Sequence, residues 1–146
     1  MIKSQELKSG NIILGKYINE EDEKVNTTIC TFLGYDPFNN YFWVENKDAI
    51  EDFCGFDPIP LSEEWLVRFG FDKDVKERRS IYKHKGVKQI HVIYKHKYYD
   101  LFLRLFDNGQ ISLCFNNEYI LIKYVHRLQN IFNSLTGTDL QMLSFS

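Results

Sequence analysis

From Lys88 to Phe106 the chain alternates between two sets of side chains. Ile90, Val92 and Tyr94 fall on one side against Gln89, His91, Ile93 and Lys95, and further on Leu101, Leu103 and Leu105 fall against Phe102, Arg104 and Phe106. A strand turns successive side chains to opposite faces, so this period of two predicts half-buried β-structure with one core face and leaves no room for a helix. Asp107-Asn108-Gly109 and Asn116-Asn117 are hairpin turn signals. Tyr98 to Lys123 is therefore expected to be a three-stranded antiparallel meander, with Lys88 to His96 as a fourth strand.

The first fifty residues repeat the theme. Asn11 to Ile18 is a short strand candidate, Asn19 to Lys24 a charged hairpin tip, and Thr27–Tyr35 and Tyr41–Glu45 are β-branched and aromatic runs joined by Asp36-Pro37-Phe38-Asn39-Asn40. Pro58 to Phe71 then changes period. Ser62 suits an N-cap, Glu63 and Glu64 favour the first turn of a helix, Leu61 can staple to Leu66, and Gly70 stops the helix. A second helix is expected over Tyr124 to Leu135, with Val125, Leu128, Ile131, Phe132 and Leu135 as its apolar stripe and Arg127, Gln129, Asn130 and Asn133 toward water. The fold class is α+β: mainly antiparallel, curved β-sheet, with a short middle helix and a C-terminal amphipathic helix.

A chain of 146 residues without a long linker is expected to form a single domain spanning 1–146. Cys30, Cys54 and Cys114 are an odd, widely spaced set, which fits reduced thiols, with Cys30 and Cys114 as small buried hydrophobes. No window reaches the apolar length of a membrane span, and the N-terminus has no apolar leader, so the expected location is the cytoplasm, without membrane contact.

Charge is unevenly placed. Lys73 to Lys97 holds nine Lys/Arg against Asp74 and Glu77, a formal +7, whereas Met1 to Asp72 holds six Lys/Arg against fourteen Asp/Glu, a formal −8. Such a field concentrates anions. Within the basic stretch, Arg78, Arg79, Tyr82, Lys83, Lys88, His91, Tyr94, Lys95 and Tyr99 form the candidate anion-binding set: guanidinium and ammonium groups neutralise phosphate, and interleaved Tyr rings stack bases. The bland alternative is a solvated, charged strand face that discourages edge pairing. His84, His91 and His96 lack zinc-ligand spacing and sit among lysines, so no metal is expected, and His126 is expected to be a hydrogen-bonded structural histidine. No nucleophile elbow, phosphate-cradling glycine loop or nucleotide fingerprint occurs, so no catalytic residue and no cofactor are assigned and the chain is read as a non-enzyme.

Three blocks, ELKSGN (Glu6 to Asn11), PIPLSEEWLVRFGF (Pro58 to Phe71) and IKYVHRLQNIFNSLTGTDL (Ile122 to Leu140), together resemble a family of small uncharacterised proteins of bacteria, prophages and phages. The resemblance implies no established activity. It makes the long basic middle the place for a role particular to this member, and its phage association implies an accessory, anti-defence setting. The functional expectation is a non-catalytic accessory protein that captures an anionic small ligand, such as a nucleotide signal, or a protein partner. The alternatives are single-stranded nucleic-acid binding and a structural role in homo-oligomers.

Overall fold

The computed structural model describes residues 2–73, 80–84, 87–115 and 118–143, with residues 80–84, 87–90, 114, 115 and 118 in backbone only. After a 3₁₀ turn at Ser4–Glu6 come strands β1 (Ile12–Ile18), β2 (Val25–Asp36), β3 (Tyr41–Asn46) and β4 (Gly55–Asp57) and helix α1 (Glu63–Arg68). Strands β5 (Phe71–Lys73), β6 (Ser80–His84), β7 (Val87–His96), β8 (Phe102–Phe106), β9 (Ile111–Phe115) and β10 (Glu118–Leu121) follow, then helix α2 (Val125–Thr136). The α+β class, the meander and both helices stand where the sequence places them. The chain divides into two compact units, Met1–Pro60 with Tyr124–Asp139, and Leu61–Lys123 with Leu140–Ser146. The second is thus inserted in sequence between β4 and α2 of the first.

The first unit carries an antiparallel sheet in the order β3-β2-β1-β4. Ile13 pairs with Cys30 and Phe32 with Val44, which gathers Ile2, Leu7, Ile13, Cys30 and Phe32 on one face, with Phe42, Val44, Phe53 and Phe56 packed against them. Gly15 is required by this packing. A Cβ there would lie 2.5 Å from Phe53 Cε1 and 2.8 Å from Cys30 Sγ, closer than carbon and sulfur can approach.

Helix α2 docks on the start of β1 through amides as well as its apolar stripe. β4 covers the edge of β1 only from Leu14 to Lys16. Ahead of it, the Ile12 N–H donates to Gln129 Oε1 at 2.8 Å and Gln129 Nε2 donates to the Gly10 carbonyl at 3.0 Å. Gln129 is therefore buried rather than turned to water as its helical position suggested, because buried backbone groups need partners where the ladder ends. Asn130 acts beside it, accepting from Asn11 Nδ2 at 2.9 Å and donating to the Glu6 carbonyl at 3.1 Å. Leu135, expected in the stripe, is exposed. Gly137 closes the helix at φ +72, the left-handed position that favours glycine.

The second unit carries the order β10-β9-β8-β7-β5, with β6 also on β7. Gly109 takes φ +87 in the β8–β9 turn, and its N–H donates to the Phe106 carbonyl. Ser62 occupies the N-cap of α1 in extended conformation but its side chain makes no capping bond, whereas Leu61 and Leu66 are both buried as a staple requires. β5 and β6 share one edge of β7: Lys73 pairs with Tyr94 and Ser80 with His91.

The sheet departs from the expected one-sided burial. Tyr94, Leu103, Ile111 and Leu113 are buried on one face, and His91, Ile93, Phe106 and Ser112 are buried on the other. Cross-strand register explains part of this, since His91 lies opposite Phe106 with their rings 5.6 Å apart. On the same face the Arg104 guanidinium stacks on Tyr119 at 5.0 Å.

Candidate binding surface

Two members of the candidate anion-binding set, His91 and Tyr94, are buried rather than exposed. Tyr94 is 1% exposed, and its hydroxyl donates to Glu63 at the start of α1. Burial, then Glu63, pushes the Tyr94 hydroxyl far above its ordinary pKa. The Tyr94 hydroxyl, backed by Lys73, in turn holds the Glu63 carboxyl below its ordinary range. His91 is buried as well. Both are core residues rather than ligands at a surface, a correction that comes for Tyr94 from the core face it shares with Leu103 and Leu113 and for His91 from the second buried face of β7.

Two lysines at the margins of the stretch meet carboxylates: Lys73 Nζ lies 3.3 Å from Glu63 and Lys97 Nζ 4.0 Å from Asp72. Lys95 remains exposed, with its ammonium 5.4 Å above the Phe102 ring. Tyr99 is half-buried with its ring 5.3 Å from His96. In the β6–β7 hairpin Tyr82 pairs with Gln89 and Lys83 with Lys88, so strand alternation puts Tyr82 and Lys83 at positions on opposite faces. Arg78 and Arg79 lie outside the described residues.

Of the three candidate histidines, the structure describes the side chains of His91 and His96. His91 and His96 are five residues apart on one strand and so occupy opposite faces of β7. His96 Nδ1 accepts from the Tyr98 N–H at 3.2 Å, which leaves Nε2 as the donor to the Phe69 carbonyl at 3.0 Å, and burial lowers its pKa. Among the described residues no three His, Cys, Asp or Glu side chains are grouped to hold a metal ion. His126 departs from its expected role. It is 1% exposed, yet among the described residues neither ring nitrogen has a hydrogen-bond partner, and Glu6 Oε2 stands 4.0 Å away. Burial, then Arg127, lowers its pKa, so the neutral ring is favoured, stacked on Tyr124 at 5.9 Å.

The strongest surface feature lies in the first unit, on the face of the sheet opposite its core. Strand β2 places Val25, Thr27, Ile29, Thr31 and Leu33 on this side, ending at the irregular register between Phe32 and Gly34. Val25 is 61% exposed, and Ile29 and Leu33 are also exposed. Register sets Ile18 beside Val25, and Trp43 lies opposite Gly34 on β3. Trp43 is 56% exposed and meets Tyr41 edge-on at 4.9 Å. The turn between β2 and β3 presents Phe38 to solvent and is held by Asp36, which accepts from the Phe38 N–H at 3.0 Å and Asn39 Nδ2 at 2.8 Å. The Asn39 bond leads in keeping the Asp36 carboxyl ionised below its ordinary range. On β1 the one cation of this face, Lys16, is tied to Asp57 at 3.1 Å.

Large apolar side chains exposed together on one sheet face, rather than scattered singly, are uncommon on the surface of a monomeric protein. The sequence carried a signal for it: Thr27 to Leu33 of β2 and Tyr41 to Val44 of β3 are apolar or β-branched at both parities. The structure covers one side only. Acidic groups border the strip, with Glu20, Glu21, Asp22 and Glu23 at the β1–β2 tip and Glu45 on β3. The first unit holds six Lys/Arg against twelve Asp/Glu, the second twelve against eight. No family model, curated protein or solved structure matches this chain.

Proposed function

We propose that this is a non-catalytic binding protein that captures a protein partner through the outward face of the β3-β2-β1-β4 sheet. The observation that carries the reading is the exposure of Val25, Ile29, Leu33 and Trp43 in one strip. Burying such side chains is worth about 1.5 to 3 kcal/mol each when they leave water completely, so a strip of four offers an interface its driving force. Trp43 and Tyr41 are the residue types that dominate interface energetics. The acidic border selects against acidic partners and accelerates encounter with basic ones. The likeness of the three sequence blocks to phage and prophage proteins supports an accessory setting, including interference with a host defence.

The test is photo-crosslinking from positions 29 and 43 in the producing cell, with Asn108, on a turn of the second unit, as control. The reading expects one defined adduct from 29 and 43 that disappears with Trp43→Asp. Adducts indistinguishable from those of position 108 contradict it.

A second reading, capture of an anionic small ligand or a single-stranded nucleic acid, is favoured by one observation. Backbone register pairs Lys83 with Lys88, so two lysine positions of the basic stretch fall opposite one another on β6 and β7. Titration with cyclic and linear nucleotides, and with single-stranded DNA at low and physiological salt, tests it. Heats that vanish in an Arg78/Arg79/Lys83 charge reversal support it, and flat heats for the wild type exclude the small ligand.

A further inference from the structure

Beside the docking strip, and sharing Tyr41 with it, the first unit holds a 290 Å³ cavity whose other lining residues include Phe42, Phe53 and Phe56 of the core side. Its wall is aromatic. Phe42 and Phe56 stack at 5.0 Å with planes 21° apart, Phe53 adds a third ring 5.0 Å from Phe56, and Tyr41 and Ile2 complete the apolar lining. An apolar cavity of about 150 Å³ accepts benzene, so this one has room for a fused bicyclic ring, at the small end of ligand pockets.

Polar groups are few and specific. Asn40 stands on the lining in the left-handed conformation, φ +51. Its Oδ1 accepts the Tyr35 hydroxyl at 2.6 Å, which leaves the Nδ2 amide as a donor for a guest. Cys54 lines the cavity too, with an exposed thiol 3.3 Å from the Lys16 carbonyl. The nearby Lys16 ammonium is tied to Asp57, and the unit is net acidic, so nothing here rewards a negative guest.

We propose that this cavity binds a neutral, planar, fused-ring aromatic molecule carrying a hydrogen-bond acceptor. The ring slots against Phe42, Phe53 and Phe56, offset or edge-on as aromatic quadrupoles prefer, and its acceptor takes the Asn40 amide hydrogen. Asn40 sets the preference for an acceptor over a donor, because its oxygen is already engaged.

Cys54 supplies the readout. Burial pushes the Cys30 thiol up to about 11, which makes it unreactive, whereas Cys54 is open to iodoacetamide, and its modification is followed on its own peptide by mass spectrometry. Quinoline, which offers an acceptor, is compared with indole, which offers only a donor, and with anionic 2-naphthoate. At about ten times its dissociation constant quinoline should slow Cys54 alkylation by about tenfold and shift the ring resonances of Phe42, Phe53 and Phe56. Indole and 2-naphthoate should bind several-fold more weakly. Asn40→Gly, which keeps the left-handed backbone, should remove the advantage of quinoline over indole while ring shifts persist. Full-rate alkylation with unmoved ring signals at the solubility limit of quinoline overturns the proposal, as does a quinoline preference that survives Asn40→Gly.

Discussion

In the first unit, β2 leaves Val25, Ile29 and Leu33 in water on one face while burying Cys30 and Phe32 on the other. In the second, β7 buries His91 and Ile93 on one face and Tyr94 and His96 on the other. The period of two predicts one-sided burial for β7, and its second face is covered all the same, whereas β2 exposes Val25, Ile29 and Leu33 beside Thr27 and Thr31. Burial follows what each sheet packs against more than how hydrophobic its strands are. The proposed docking rests on that open apolar face, while Tyr94 of the basic stretch is tied to Glu63.

The largest expected effects separate the two sheets by stability. Leu103→Ala, at a fully buried position of the second sheet, should cost about 2 to 5 kcal/mol, against about 0.5 kcal/mol or less for Ile29→Thr on the open face. Chemical denaturation of both variants measures this; equal losses would mean that the open face is covered in solution. Phe132→Ala in α2 belongs with the first group, at about 3 to 5 kcal/mol.

Next in size is the packing beneath the open face. Gly15→Ala forces a methyl into Phe53 and Cys30 and should cost about 1 to 3 kcal/mol in a thermal melt. Gln129→Ala leaves the Ile12 N–H and Gly10 carbonyl without their side-chain partner, also at about 1 to 3 kcal/mol, and amide exchange at Ile12 should accelerate. Unchanged exchange there would show that the backbone finds another partner.

Smaller effects test the ionisable groups. Tyr94→Phe should cost about 1 kcal/mol and let the Glu63 pKa return toward its ordinary value, read by NMR titration. His126 and His96 both have folded pKa values below their ordinary 6.5. The unfolded chain therefore binds protons first as acid is added, and their contribution is complete above about pH 6.5 and lost as pH falls below it. Around His126 stand Glu6, Arg127 and Tyr124, and only the carboxylate opposes the shift. His126→Gln should flatten the stability profile just below pH 6.5; an unaltered slope would place the titration elsewhere.

Local signals carried most of the fold. The period of two in β7 and β8, the Asp107-Asn108-Gly109 turn and the Ser62 to Gly70 frame each act within a few residues, and all sit where the sequence puts them. β4 and β5, three residues each, are too short to show a period. Long-range partners were hidden for another reason. Tyr94 meets Glu63 across 31 positions and Gln129 meets Ile12 across 117, and nothing local to either residue encodes the other. The candidate site was obscured likewise: composition pointed to the basic stretch, and only register and burial showed which tyrosines and histidines were already in use.

The account turns on an apolar strip that stands in water in the free protein. A Trp65→Phe variant removes the buried indole and leaves Trp43 as the sole reporter on that strip. Its emission should then be red-shifted and readily quenched by acrylamide in dilute, monomeric protein, as a half-exposed indole requires. A blue-shifted Trp43 shielded from acrylamide would contradict the open face and the docking function built on it.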